Sequence, residues 1–495
     1  MDLSNNPLTC ISDTRINLNG NDLKADEHSA FVETDKGPHL FLTFSGAQDQ
    51  AGIHKFGSKR VRPTGPDKEQ YYVGLVVSRR ENETLQNKVY AFYKEKNKDQ
   101  GLSKDMWLPF VSQVCTADEG GPKNNLQFKW TSLMNARLYC GNPDSKQHFS
   151  ELVDVAIVDA PRWQDTRVYG LFRNEWGMSA VCIYTIEDIN NIFITSPFNG
   201  SKEDDAVDKR RKQCVPDSTK ISSDVLMRIE KVSEMKDWVQ PLNKMGPVLV
   251  KHHNYTRIYV DFSLETQQSV MFLSLSKGFI HKVVQKENHS LIIAEYQPSK
   301  PPDHIFSFIF SPSSKTLYVK SKNELIQINM ANCHMYGKTC QDCGLSSDPY
   351  CIWRNEQCSS VTPHHMVIPS HENCPTRQAY QQSGAAGPKV NNVSLITVPF
   401  LSRHFLQCPV SSHHANYIWR GPEGSKPCNL NEGLCLYLIY SMTPKQEGNY
   451  ACESEEKGYS KVLAQYQLRS TAAGQTFGPR VWLWLFLGLV LNIIH

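Results

Sequence analysis

The fifteen cysteines are the residues of this chain with the widest choice of chemistry. Oxidised in pairs they are covalent staples, as thiolates beside histidines they hold zinc, and a single activated thiolate is a nucleophile. Their spacing favours staples. Cys333, Cys340, Cys343, Cys351, Cys358 and Cys374 crowd into residues 333–375, a stretch too short to bury a self-sufficient apolar core, so bridges must supply part of its stability. Upstream, Cys115, Cys140, Cys182 and Cys214 form an even set whose connectivity the spacing leaves open. Downstream, Cys408 and Cys452 bracket Cys428 and Cys435, which are close enough to close a small loop of their own. The total is odd, and Cys10 is left over.

Other chemistry finds little support. His252 with His253, His364 with His365 and His413 with His414 are metal ligands by type, yet neighbours on a strand point to opposite faces and loop histidines are commonly solvated. An H-E-x-x-H site, a G-x-S-x-G elbow and a glycine-rich phosphate loop are missing, as are the repeated Asp-boxes of a sialidase. The expectation is a binding protein with no catalytic residues, metal or cofactor. A net charge of +3 is too slight to call for nucleic acid.

Five N-x-S/T sequons, at Asn82, Asn199, Asn254, Asn288 and Asn392, accompany the cysteines and point to the secretory pathway. Residues 1–10 lack the charged start and apolar run of a signal peptide. The expectation is therefore that an upstream segment carries the signal and a partner for Cys10. At the other end Val481–Ile494 is apolar but shorter than the ~20 residues of a spanning helix, and only His495 follows. Small residues at 470–474 and a polar spacer ending at Arg480 precede it, the pattern of a glycosylphosphatidylinositol attachment signal with Ser470 or Ala472 as the attachment residue. A truncated membrane helix is the competing reading.

The elements that must carry these residues are mostly strands. Tyr71–Ser78, Lys88–Tyr93, Val168–Phe172, Ser179–Tyr184, Ile258–Leu264, Val270–Leu275 and His304–Phe310 are short β-branched and aromatic runs broken by turn residues. Helical periodicity is hard to find. An all-β region over residues 1–332 is longer than one sandwich and suits a β-propeller, with two stacked sandwiches as the alternative. The acidic-then-basic run at 202–212 reads as a solvated loop. After the stapled window, residues 376–390 form a Gly/Ser/Ala-rich linker. In 391–469, Cys408, Trp419, Tyr450 and Cys452 carry the spacing of an immunoglobulin-type sandwich, in which a core tryptophan packs on an inter-sheet bridge. Residues 470–495 complete the chain as the anchor signal.

Taken in order, these phrases resemble the semaphorin family. VSQVCTADEGG at Val111–Gly121, WTSLMNARLYC at Trp130–Cys140, DTRVYGLF at Asp165–Phe172, SAVCIY at Ser179–Tyr184 and KGFIHKVV at Lys277–Val284 are similar to a sema domain. The window containing GLSSDPYCIW resembles a PSI domain. One immunoglobulin domain and an anchor signal without a cytoplasmic tail point to the lipid-anchored class 7. A plexin would follow its PSI domain with IPT domains and a membrane span.

The resemblance implies a seven-bladed propeller that here lacks its first blade and part of its second, leaving an open edge and a region that should fold poorly as written. It implies bridges Cys115–Cys214, Cys140–Cys182, Cys333–Cys351, Cys340–Cys374, Cys343–Cys358, Cys408–Cys452 and Cys428–Cys435, with Cys10 unpaired. It further implies a cell-surface homodimer, held on the membrane by its lipid anchor or released by a protease, that binds and dimerises a plexin receptor of class C. Axon guidance and immune-cell modulation are the expected outcomes. The alternative is an adhesion protein or a ligand of a beta-1 integrin. The mammalian class 7 protein carries Arg-Gly-Asp after the cysteine that corresponds to Cys115. Here Thr116, Ala117 and Asp118 stand there, so Asp118 is the candidate integrin contact, without its arginine.

Overall fold

The computed structural model describes residues 27–471 apart from 35–36, 48–49, 58, 65–67, 82, 99–104, 143–146, 202–205, 264, 287–288, 337, 362–365, 368–392, 411, 413–414, 429–434 and 457–458. Cys10, Cys374, Asn82, Asn288, Asn392, Ala472, two of the histidine pairs, the linker and the apolar tail therefore lie outside the described residues. The chain divides into two units, residues 1–290 with 295–329, and residues 291–294 with 330–495.

The first unit is a series of antiparallel sheets, each built from strands adjacent in sequence. The first sheet holds β1 (Ser29–Thr34), β2 (Gly37–Phe44) and β3 (Gly52–Phe56). The second holds β4 (Gln70–Ser78), β5 (Lys88–Lys96), β6 (Trp107–Cys115) and β7 (Met134–Arg137). A small hairpin, β8 (Gly141–Asn142) and β9 (Gln147–His148), leads to the third sheet of β10 (Glu151–Val158), β11 (Arg167–Arg173), β12 (Ser179–Thr185) and β13 (Leu249–Lys251). The fourth is β14 (Tyr255–Ser263), β15 (Gln268–Leu275), β16 (Ile280–Lys286) and β17 (His289–Tyr296), and the fifth is β18 (Ser307–Ser311), β19 (Thr316–Lys320) and β20 (Leu325–Asn329).

Strand β5 shows why the sheets stack face to face. Side chains alternate across a strand. Val89, Ala91 and Tyr93 share a core with Phe41 and Ile53 of the first sheet. Tyr90 and Phe92, pointing the other way, share a core with Leu152, Val168 and Phe172 of the third. A strand buried on both faces must be largely apolar, which is how VYAFY reads. Successive stacked sheets of this kind are propeller blades, not the two sandwiches considered from sequence alone. At the contact of β4 with β10 the residue is glycine, since a Cβ on Gly74 would lie 2.2 Å from Val155 Cγ2.

Polar bonds fix the stacking. Lys94 Nζ meets Glu151 Oε1 at 2.6 Å between the second and third sheets. Between the third and fourth, Ile258 N donates to Asp154 Oδ2 at 2.9 Å. A register shift between Leu152 and Asp154 interrupts the pairing of β10 with β11 at this carboxylate. The buried pair Lys315–Asp261, at 3.0 Å, joins the fourth and fifth sheets.

Helices α1, α2 and α3 fall where helical periodicity was not found. Helix α1 (Ile186–Thr195) starts at a Thr185 cap that accepts from Asp188 N at 3.0 Å, and it buries Ile186, Ile189, Asn190 and Phe193. Only a stripe of this short helix is apolar, so the strand-like residues around it masked the pattern. Residues 206–211, expected as part of a solvated loop, form α2 (Ala206–Arg211), and Asp208 in it is buried. Its charges pack beside α3 (Ser223–Lys231), which buries Val225, Leu226 and Ile229. The strand read at His304 starts at Ser307.

In the second unit, residues 333–360 fold around a short helix α4 (Cys340–Leu345) and a hairpin of β21 (Cys351–Arg354) and β22 (Gln357–Ser360). Bridges Cys333–Cys351 and Cys343–Cys358 staple them, with Cα atoms 5.6 and 5.5 Å apart, within the usual span of a disulfide. Cys340 is also disulfide-bonded. Tyr350 is fully buried, and Asp348 accepts from Tyr350 N at 3.0 Å and from the Tyr336 hydroxyl at 2.7 Å.

The remaining strands are β23 (Ser394–Pro399), β24 (His404–Cys408), β25 (Asn416–Gly421), β26 (Gly424–Cys428), β27 (Cys435–Ile439), β28 (Gly448–Glu456) and β29 (Tyr459–Thr471). They form a five-stranded sheet, β23-β29-β28-β25-β26, and a two-stranded one, β24-β27. Both contribute to one core containing Trp419, Tyr437 and the Cys408–Cys452 bridge. The Tyr450 hydroxyl donates to Gln446 O at 2.9 Å, locking a strand to the turn before it. Lys461 Nζ reaches Asp342 Oδ1 at 3.2 Å and so ties this sandwich to the stapled window.

Tyr450→Phe removes a hydroxyl and leaves a buried ring in place, and should cost about 1 kcal/mol in denaturant unfolding of the second unit. Burial pushes the Asp154 carboxyl up to about 7, against the pull of Arg257 and the Ile258 and Val155 amides. The folded state then holds a proton that the unfolded chain releases near the ordinary carboxyl range. Stability falls as pH rises from about 4 to about 7 and levels off above that. Asp154→Asn should remove this component, seen as a flatter Tm against pH, with a difference of roughly 4 kcal/mol at the alkaline end.

Candidate functional site

The segment after Cys115 is where sequence reading placed a recognition residue, and its geometry decides what it can bind. Strand β6 ends at Cys115, bridged to Cys214 with Cα atoms 5.7 Å apart. The chain then turns through residues 116–121. From below, the buried Lys55 donates through Nζ to Thr116 O at 2.8 Å and Asp118 O at 2.9 Å. From the side, the Ser218 hydroxyl accepts from Glu119 N at 2.9 Å and donates to Gly120 O at 2.8 Å.

Asp118 faces inward. It is 2% exposed. Its Oδ2 accepts from Thr131 N and Ser132 N, each at 2.8 Å, and from the Ser132 hydroxyl at 2.7 Å. Its Oδ1 accepts from Gly120 N at 2.9 Å. A carboxylate with four donors around it is a structural brace, and offers no oxygen to a metal on another protein. The expectation of an integrin contact at Asp118 is corrected accordingly. Spacing from a cysteine does not reveal whether an aspartate points out or in. Within the same loop, Glu119 pairs with Lys59 at 3.0 Å and stays partly exposed.

The other residues singled out from sequence fall as follows. Cys140 and Cys182 are bridged inside the core shared by the second and third sheets, and Cys428 is joined to Cys435. Asn199 and Asn254 are exposed, as glycan acceptors must be. Ser470 lies in β29, paired with Val398, and its amide donates to Glu447 Oε1 at 2.9 Å. Cys408, Cys435 and Cys452 bring three sulfurs together, but all three are in disulfides and have no thiolate for a metal. Among the described residues no helix is long and apolar enough to cross a membrane.

Two constellations had no sequence signal. The Tyr255 hydroxyl lies 2.7 Å from His281 Nδ1, whose Nε2 lies 2.8 Å from Glu295 Oε2. The order is that of a nucleophile–base–orienter relay, but Tyr255 is fully buried and burial raises its phenol well above the ordinary value. This chain of bonds therefore secures one sheet and activates nothing. The second constellation, around Arg80 and Lys88, lines a cavity.

The loop makes a prediction. Asp118→Ala strands three buried amides and a hydroxyl, and should cost about 3 kcal/mol or more. Glu119→Ala, on the rim, should change stability by less than about 1 kcal/mol. Thermal unfolding of the secreted chain checks both.

Comparison with known proteins now places this architecture. A family model described as the Sema domain matches residues 152–312. The chain is 30% identical to Semaphorin-7A of Homo sapiens and 29% identical to Semaphorin-7A of Mus musculus, each over 410 residues covering 78% of this chain and 60% of the relative. Semaphorin-4C of Mus musculus is 28% identical over 79% of this chain and 50% of the relative. The chain thus spans 60% of the length of the first two. Among solved structures, Drosophila Semaphorin 2a aligns with a TM-score of 0.62 at 19% identity, over 90% of this chain and 76% of that one. A chain from the structure of Drosophila Plexin A in complex with Semaphorin 1b aligns with a TM-score of 0.54 at 23% identity, over 67% of this chain and 69% of that one. At these identities the structures show a shared fold.

Proposed function

The chain belongs to the semaphorin family, and from that premise we propose that it is a cell-surface signalling ligand whose sema propeller binds a class C plexin. Homodimerisation of the ligand would bring two receptors together, so the signal is a matter of geometry and needs no bond-making by the ligand. The observation that carries this reading is the likeness to Semaphorin-7A, which runs through 78% of the chain. Supporting it, the stacked sheets of the first unit make a rigid platform on which loops present a recognition surface. In this reading residues 333–375 are a PSI domain and 391–469 an immunoglobulin-like domain, supported by their bridges and by the Tyr450 hydrogen bond. A lipid anchor attached at Ser470 or Ala472 holds the protein at the outer face of the membrane, and its biological outcomes are axon guidance and immune-cell modulation. A beta-1 integrin is not favoured as the partner, because the Asp118 carboxylate is committed inside the fold.

Biolayer interferometry of the secreted ectodomain against class C plexin ectodomains tests the proposal. Saturable binding, with clustering of cell-surface plexin by a dimeric fusion and none by the monomer, is the expected result. Binding to no class C plexin sinks it. Cell attachment that survives plexin removal and disappears with residues 391–469 would assign the protein to adhesion instead.

A further inference from the structure

Arg80 follows β4, Lys88 opens β5, and Asn190 lies in the middle of α1 on the third sheet. All three are buried, Arg80 to 7%, Lys88 to 3% and Asn190 to 6% exposure. Lys88 Nζ donates to Asn190 Oδ1 at 2.9 Å, Arg80 Nη2 donates to the same oxygen at 3.1 Å, and the Tyr90 hydroxyl donates to it at 3.2 Å. Two cations and a phenol thus converge on one neutral amide oxygen. Among the described residues neither cation has a carboxylate at ion-pair distance, and Arg80 Nη1 is buried with no acceptor at all. The Arg80 guanidinium lies over the Trp163 ring, which fixes its plane.

Such an arrangement is unfavourable by itself. Buried charge needs a counter-charge or a full set of acceptors, and a shared carbonyl with the Tyr90 hydroxyl, 3.4 Å from Arg80 Nη2, provides neither. Burial and the like charge of Arg80 lower the Lys88 ammonium to about 8. Arg80, Lys88 and Asn190 border open space. They line a cavity of about 1130 Å³, together with Lys209 and Lys212 of the α2 region and with Glu81 and Glu83. Arg162, also in the lining, is already paired with Asp165 at 2.7 Å.

We propose that this cavity binds a tetrahedral oxyanion, a sulfate or phosphate group, held by the Arg80 and Lys88 side chains. Guanidinium and ammonium donors match the oxygens of such a group, and charge-assisted hydrogen bonds to it are the strong kind. Asn190 is the positioning residue, since it orients both cations without neutralising either. The group can arrive as the free ion or as an ester on a sugar. The proposal is independent of the plexin reading, because nothing in it depends on a receptor.

The test is thermal unfolding and isothermal calorimetry of the full chain in sulfate, in phosphate and in chloride of matched ionic strength, and with a sulfated disaccharide. Sulfate or phosphate at saturating concentration should raise Tm by roughly 2–4 °C over chloride. Asn190→Asp supplies an internal counter-ion, so its Tm in chloride should rise while its response to oxyanions disappears. Lys88→Gln should weaken binding at least about tenfold, and serves if the first variant does not fold. The exposed control Lys445→Gln should respond as the parent does. A disaccharide that binds about tenfold tighter than inorganic sulfate identifies an ester as the ligand, and equal affinity identifies the free ion, each in support of the site. Identical unfolding in all three salts overturns the proposal. An undiminished response in both Asn190→Asp and Lys88→Gln, or a lost response in the control, overturns it too.

Discussion

A strand whose two faces are both buried must be largely apolar, and the middle of the first unit depends on that constraint. Strand β5 sends Val89, Ala91 and Tyr93 toward one neighbouring sheet and Tyr90 and Phe92 toward the other. The second sheet is thereby a layer of two cores at once, and removing it would expose the sheets on either side. Apolar faces alone would let such sheets slide or rotate, because dispersion contacts have little directional preference. The polar bonds between sheets, Lys94 to Glu151, Ile258 to Asp154 and Lys315 to Asp261, select one arrangement. They are few, and each sits at a junction.

Recognition by a scaffold of this kind depends on what its loops hold still. The segment after Cys115 is a case where stiffness and availability exclude one another. Lys55, Ser218 and the Cys115–Cys214 bridge hold its backbone, and the Asp118 carboxylate is consumed in the same task. An aspartate that braces a turn through four hydrogen bonds cannot also be lent to a partner. The residue left with a solvent-facing charge is Glu119, whose neighbour Lys59 already answers it.

Much of the architecture could be read in advance because its causes are local. Alternation and turn residues mark β4, β5, β11, β12 and β15, and the phrase around Cys452 marks the Tyr450 corner, where the hydrogen bond to Gln446 spans only four residues. The helices escaped because α1 and α3 are short and expose half their surface. Asp118 was misread for a different reason. Its donors at Thr131 and Ser132 come from a later part of the chain, and direction in space is not encoded in distance from a cysteine. Asn190 could not have been joined to Arg80 and Lys88 at all, lying about a hundred residues from both and bearing no motif.

The Cys115–Cys214 bridge closes a loop of 99 residues that encloses the charged run at 202–212, whose basic end lies in α2. Cys140–Cys182 lies wholly within that loop and does not reach the run. A chain cut between Cys182 and Cys214 would still be one covalent molecule, its two pieces held by a single bond. Nicking there changes the number of polypeptides without releasing either of them. With that bond reduced, only strand pairing and the packing of the core would hold the fragments together.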